Sequence, residues 1–302
     1  MSWQLIVALR LFTAYVVAQP LVKLLSKTSM PQKFLLQFLF CLVIVSVSQF
    51  FIGSSGSNGL LGIVAMGFAS STAAYCQWRA ISYSLSKYAL FSTLDDIIPI
   101  VLTACILGDH QYFNVWVVSG SVLTFAAFLL FAVGDYRKAR VHKDDVSTSA
   151  TTRASRTPLA FYGYVLWLTI VWGVVRFLLR YFALNDVPKM PFLGAWYTGA
   201  AFGALAIILV TGGVKTEDKP LTSRDIRLVF VLAVAIVVSF LFEYWGVILA
   251  PLLKTQPIYL LGEMILPAVI GLIFFGERKH LGRLGWWCFA IGALGGVLLF
   301  LS

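Results

Sequence analysis

Charge is scarce in this chain. Asp, Glu, Lys and Arg together make up 12% of its 302 residues, against roughly 25% in soluble domains. Histidine is rarer still: His110, His142 and His280 are far apart in sequence and fall in connections. No HExxH or paired-Asp metal motif exists, which argues against zinc or binuclear hydrolytic chemistry. The four cysteines (Cys41, Cys76, Cys105, Cys288) have no CxxC spacing and lie in or beside apolar runs, so they read as small apolar fillers and not as a disulfide or metal set. The glycine-rich run Gly53-Ser54-Ser55-Gly56-Ser57-Asn58-Gly59 lacks the Lys-Ser/Thr of a phosphate cradle and reads as a flexible loop. No nucleotide-binding domain is present to drive anything with ATP. No cleavable leader is expected, because Arg10 interrupts the first apolar run and no A-x-A site follows it.

What fills the chain is apolar: 60% of the residues are hydrophobic. Ten long runs can be marked, at 3–25, 34–53, 59–81, 88–107, 115–134, 159–184, 191–210, 226–249, 256–275 and 282–301. Each matches the roughly 20 residues that a helix needs to cross a bilayer. Strands of a membrane barrel would be about half as long and alternate in polarity. The fold class expected is therefore an all-α integral membrane protein with ten transmembrane helices.

The net charge of +10 fits loops on the cytoplasmic side of a membrane better than a nucleic-acid partner. Of the 23 Lys and Arg, eighteen gather at the odd connections (1–2, 3–4, 5–6, 7–8, 9–10), three (Arg10, Arg176, Arg180) lie within helices, and only Lys189 and Lys254 mark the even connections. The positive-inside rule then places the odd connections in the cytoplasm. The longest of them is the basic, Ser/Thr-rich stretch around 136–157, a solvated linker between a first five-helix unit (1–135) and a second (158–302).

The two units are related. Leu94-Asp95-Asp96-Ile97-Ile98-Pro99 aligns with Gly262-Glu263-Met264-Ile265-Leu266-Pro267 at an offset of 168, and Gly108-Asp109 aligns with Gly276-Glu277 at the same offset. Slightly upstream, Trp78 meets Trp245 and Lys87 meets Lys254. Five spans is an odd number, so the second copy must enter the membrane upside down. Inverted repeats mark transporters whose halves rock about a central site.

The ending Pro267 … Phe275-Gly276-Glu277-Arg278 before a glycine-rich last helix, with its paler copy Pro99 … Leu107-Gly108-Asp109, resembles the drug/metabolite transporter superfamily of EamA-like type. The resemblance covers nearly the whole chain in span count and layout. It implies ten helices as two inverted five-helix repeats, a central cavity, and a cargo among amino acids, drugs, nucleotide sugars, sugar phosphates and other metabolites. Asp109 and His110 depart from the Glu and basic residue usual in the first repeat. No sugar-nucleotide or triose-phosphate signature is found.

Ionisable groups inside a membrane are functional candidates by default, since insertion costs about 2.5–3.5 kcal/mol even on lenient scales. Asp95 and Glu263 lead, each four residues before a proline. Pro99 and Pro267 lack the N–H of the next helical bond and loosen the turn that carries the acid; they are the expected hinges. A carboxylate so placed suits proton exchange or pairing with a cationic group; a fixed ion pair between helices is the bland alternative. Asp96 is the weaker partner, and Glu243 has no neighbouring base in sequence. Arg10 and Arg176 are candidate substrate contacts, and with the acids they suit a zwitterionic or anionic solute, or else pair with those acids in the empty protein. Arg180, four residues on, is expected to snorkel, and Lys87 and Lys254 to anchor helix ends at the interface. Tyr15, Trp78 and Trp172 fall on helices that line the cavity in the resembled family, where stacking on a cation or ring would serve. Small residues four apart (Ala65/Ala69; Ala195/Gly199/Gly203; Gly292/Gly296) read as close helix packing.

These features favour a secondary transporter of a small metabolite, an amino acid, drug-like cation or related solute, moved by alternating access and coupled to protons or exchange. A nucleotide- or nucleoside-type transporter of the same fold is the alternative. A membrane-embedded enzyme or a non-transporting scaffold is more distant. The expected setting is a bacterial inner membrane, with the linker cytoplasmic. No catalytic residue, metal or cofactor is expected. The expected partners are a small-molecule substrate and membrane lipid, in a monomer or homodimer.

Overall fold

A computed structural model describes residues 2–27, 29–52, 60–108, 115–141, 159–211, 220–250 and 252–300. The loop at 53–59, Asp109-His110 and all but the first residues of the linker lie outside the described residues. Every regular element among the described residues is helical. In chain order the helices are α1 (Trp3–Leu25), α2 (Met30–Ile52), α3 (Leu60–Tyr83), α4 (Leu85–Ile106), α5 (Val115–Val141), α6 (Leu159–Leu184), α7 (Lys189–Val210), α8 (Ser223–Leu249), α9 (Leu252–Phe274) and α10 (Arg278–Phe300). Seven of them (α1–α4 and α6–α8) are long and apolar enough over described residues to cross a membrane. α5 runs on to Val141, past the expected end at Gly134.

The chain is apolar outside and encloses charged side chains within an apolar core. Phe50, Phe51, Leu61, Leu209 and Val210 are largely exposed, while Arg10, Asp95, Asp96, Arg176 and Glu263 are buried. Water does not tolerate such a continuous apolar exterior, and lipid requires it. The chain is a multi-pass helical membrane protein.

Two prolines shape the helices that carry the polar interior. α1 widens into a π-helical stretch at Phe12–Ala18, immediately before Pro20. The proline supplies no N–H and crowds the carbonyl four residues back, so the preceding turn opens. α4 tightens into a 3₁₀ turn at Thr93–Asp96 before Pro99, for the same reason in the opposite sense. α9, by contrast, stays α-helical through Pro267. α4 and α9 both end two residues before a glycine of positive φ, Gly108 at 75° and Gly276 at 65°, the left-handed stop that glycine accepts without strain.

Packing is tightest where α3 crosses α7. A Cβ on Gly67 would strike the Trp196 carbonyl, and one on Gly199 would strike the Val64 carbonyl. Gly199 and Gly203 thus serve the close approach expected of them, but Ala65 and Ala69 are exposed. The α3 side of the contact is instead built around Val64, Gly67, Phe68 and Ser71. α10 packs on α5, where Gly295 faces the Gly120 carbonyl and Thr124.

Candidate functional site

Arg10 and Tyr15 are five residues apart on α1. In a regular α-helix that spacing turns a side chain about 140° away from the first. The π-helical stretch that begins at Phe12 adds residues to the turn and returns Tyr15 to the side of Arg10. The result is a hydrogen bond of 2.7 Å from Arg10 Nη1 to the Tyr15 hydroxyl. That hydroxyl donates in turn to Glu263 Oε2 on α9, at 2.8 Å.

Glu263 Oε2 also accepts from Arg176 Nη2 of α6, at 3.0 Å. Arg176 Nη1 binds Asp95 Oδ1 at 3.2 Å and contacts Asp96 Oδ1, both on the 3₁₀ turn of α4. Its Nε lies 3.8 Å from Glu243 Oε1 of α8, and that same oxygen is 3.2 Å from Arg10 Nη2. A closed ring results: Arg10, Tyr15, Glu263, Arg176, Glu243 and back to Arg10, with Asp95 and Asp96 attached through Arg176. The acids and arginines therefore pair with each other across five helices. Arg10 also lies over the Tyr259 ring, 4.1 Å from its centroid, a cation–π contact strengthened by burial. One oxygen each from Asp95, Asp96 and Glu263 falls within 4.8 Å of the others, close enough to share a metal ion; here the Arg176 guanidinium touches all three.

Beside this ring is a cavity of about 140 Å³. Arg10, Tyr15, Trp78, Asp95, Trp172, Arg176, Glu243 and Glu263 all line it. Pro99 and Pro267 do not; they lie on the helices that carry Asp95 and Glu263. Trp78 donates to Gln37 Oε1 at 3.1 Å, and Trp172 stacks on Trp196 with centroids 6.4 Å apart. Sequence reasoning did not single out Gln19, Gln37, Gln77 or Tyr88, which line the same cavity. Their signal was available: an amide within an apolar span has to face something polar. Arg180 does not snorkel but is buried and donates to the Val247 carbonyl. Lys87 is buried as well and is not an interfacial anchor.

A second polar cluster closes one end of the bundle. Glu277, in the turn between α9 and α10, accepts from Leu85 N at 3.0 Å, Ser86 N at 2.8 Å and the hydroxyls of Ser84 and Ser86 at 2.9 and 2.8 Å. Lys23 Nζ at the end of α1 is 2.9 Å from it and also donates to the Ile81 carbonyl at 3.0 Å. Burial pushes the Glu277 carboxyl up, but the amide of Ser86, Lys23 and the amide of Leu85 outweigh it and hold the carboxyl below its ordinary value. Lys33 of α2 pairs with Asp225 at the start of α8, 2.9 Å away. Connections α1–α2, α3–α4, α7–α8 and α9–α10 are thereby brought to one end.

No family profile and no curated relative matches the chain. Solved structures do: 24 chains match it. One, described only as "Crystal structure of protein", superposes with a TM-score of 0.62 over 98% of this chain and 97% of that one, at 16% identity. A likeness at that identity concerns the fold alone.

Proposed function

We propose that this chain is a secondary transporter of a small metabolite, with ten spans arranged as two inverted five-helix repeats of the EamA-like drug/metabolite type. The observation that carries the reading is the buried ring of charges drawn from α1, α4, α6, α8 and α9 beside an aromatic-lined cavity. Charges buried in a lipid-facing bundle are costly, and a polar solute or an ion pathway is the role that most often retains them.

The repeat reading draws support from the packing. If α1–α5 correspond to α6–α10, the contact of α1 with α8 should recur between α6 and α3, α4 with α6 between α9 and α1, and α2 with α8 between α7 and α3; each pair of contacts is present. The contacts of α2 with α7, α4 with α9 and α5 with α10 map onto themselves, as contacts on a two-fold axis must. The positive-φ glycines, Gly108 and Gly276, stand at corresponding positions. The end closed by Glu277 carries the basic connections, which makes it the cytoplasmic end under the positive-inside rule; a bacterial inner membrane is the proposed setting.

The test is counterflow. Purified protein in proteoliposomes loaded with one solute at high concentration should accumulate trace labelled solute of the same kind, across a panel of amino acids, small amines and nucleosides. Glu263→Gln should abolish the signal. Absence of counterflow for every class would overturn the reading.

A further inference from the structure

The charged groups around the cavity answer one another. Arg10 and Arg176 each contact carboxylates, and Asp95, Asp96, Glu243 and Glu263 each contact a guanidinium. The groups left wanting are uncharged. Gln19 on α1 and Tyr197 on α7 line the cavity and are 4% and 1% exposed. Gln19 Oε1 and the Tyr197 hydroxyl have no hydrogen-bond partner among the described residues. A buried polar atom left unpaired is costly, so each points to a group that the chain does not itself supply. Similar groups on the same wall are engaged: Gln37 Oε1 accepts from Trp78 at 3.1 Å, and Gln77 Nε2 donates to the Tyr88 hydroxyl at 2.9 Å.

The chemistry of these two groups sets what would satisfy them. The Gln19 carbonyl requires a donor, and the Tyr197 hydroxyl can both donate and accept. A glutamine amide carries a donor and an acceptor side by side, and its complement is the same pair reversed, as on the edge of a nucleic-acid base. The rest of the wall is flat: Trp78, Trp172, Trp196 and Phe240 line the cavity, and the planes of Trp172 and Trp196 lie within 24° of each other. Such faces favour a flat ligand that can stack on them. The cavity of about 140 Å³ admits a single ring, since one of about 150 Å³ holds benzene. We propose that the cavity binds an uncharged, flat, single-ring cyclic amide, with an N–H beside a carbonyl, whose polar edge is read by Gln19 and Tyr197 and whose faces stack among the tryptophans. This deepens the transporter reading and rests on it. A neutral cargo leaves the ion pairs of the ring intact, and the ring's part is to hold α1, α4, α6, α8 and α9 together beside it.

Two measurements test this. In detergent, thermal stability of the wild type should rise with millimolar uracil or α-pyridone. It should not rise with N,N′-dimethyluracil, which keeps the flat ring and loses the N–H, nor with propylammonium or propionate; dihydrouracil, which keeps the polar edge and loses the flat ring, should act only weakly. Stabilisation by propylammonium or propionate without uracil, equal stabilisation by uracil and its dimethyl derivative, or no response to either cyclic amide overturns the proposal. The second measurement uses Gln19→Leu and Tyr197→Phe. Each should weaken uracil binding about tenfold, the value of one hydrogen bond. Neither should melt below the wild type without ligand, because each removes a buried group that lacks a partner. A lower ligand-free melt in both variants, or undiminished uracil binding in both, overturns the assignment of the two residues. Uracil and α-pyridone also join the counterflow panel, so the two readings fail separately. Uracil binding without any counterflow removes the transporter and leaves the site, whereas counterflow of an amine or an amino acid with no uracil binding removes the site's assignment and leaves the transporter.

Discussion

The Tyr15 hydroxyl lies between Arg10 Nη1, which donates to it, and Glu263 Oε2, 2.8 Å away, to which it donates. This phenol is the only uncharged link in the ring, and it joins α1 to α9 beside the stacking of Arg10 on Tyr259. Tyr15→Phe keeps the ring shape and removes the link. It should destabilise the protein by about 1.5–3 kcal/mol, the range for hydrogen bonds to charged groups, seen as a lower melting temperature in detergent. Counterflow should fall with it. An unchanged melt would mean that Arg10 and Glu263 find each other without the phenol.

Arg176 holds four acids at once. Removing it leaves carboxylates facing one another in a dry interior, and Arg176→Gln should cost on the order of 3–5 kcal/mol. Adding Glu263→Gln removes part of the repulsion, so the double variant should be more stable than the sum of the two single losses predicts. Melting all four proteins of that cycle checks the coupling, and strict additivity would contradict the ring.

The Glu277 carboxyl is held below its ordinary value, so it binds fewer protons in the folded protein than in the unfolded one. Its contribution is complete above the unfolded glutamate value of about 4.3 and is lost as pH falls through the lower folded value. Melting temperature against pH should therefore drop more steeply below about pH 4.3 in the wild type than in Glu277→Gln. The variant should also be the less stable of the two at neutral pH. If Glu277→Gln shows the same acid limb as the wild type, other carboxyls govern it.

Glycines on this chain separate into those with room and those without. A Cβ at Gly199 meets the Val64 carbonyl, and one at Gly163 meets nothing within 4 Å. Gly199→Ala should destabilise by about 1–3 kcal/mol through overpacking. Gly163→Ala should be neutral, or stabilising by under about 1 kcal/mol. Thermal melts of the pair decide it, and equal effects would mean that α3 and α7 separate freely.

Much of this was legible because lipid makes polarity informative. Asp95, Glu263, Arg10 and Arg176 stand out as charges in apolar runs, and all four meet at one cavity. The sequence leaves their pairing open, since it does not say which acid meets which base across five helices. Arg180 and Lys87 were misread for a related reason: their nearness to helix ends suggested headgroups, but both ends are covered by other helices. Ala65 and Ala69 were misread because a spacing of four marks a face without saying which face is buried. Gln19 and Gln37 were passed over because an amide carries no charge, although its hydrogen-bonding needs are as strict in a membrane. The wide turn of α1 was not foreseen at all; Pro20 was visible, but a proline loosens a helix without stating whether it will widen or tighten.

That wide turn gives α1 a property that no straight helix has. Phe12–Ala18 separates the segment at Arg10 from the cavity-lining Gln19 and from Lys23, which pairs with Glu277. One surplus residue stored there sets the rotational phase of the two ends against each other, and its loss would shift that phase by about 100°. Deleting a single residue within the stretch would therefore keep a continuous helix while turning Arg10 off the ring or Lys23 off Glu277. α1 works as a spindle whose two ends are indexed by a proline.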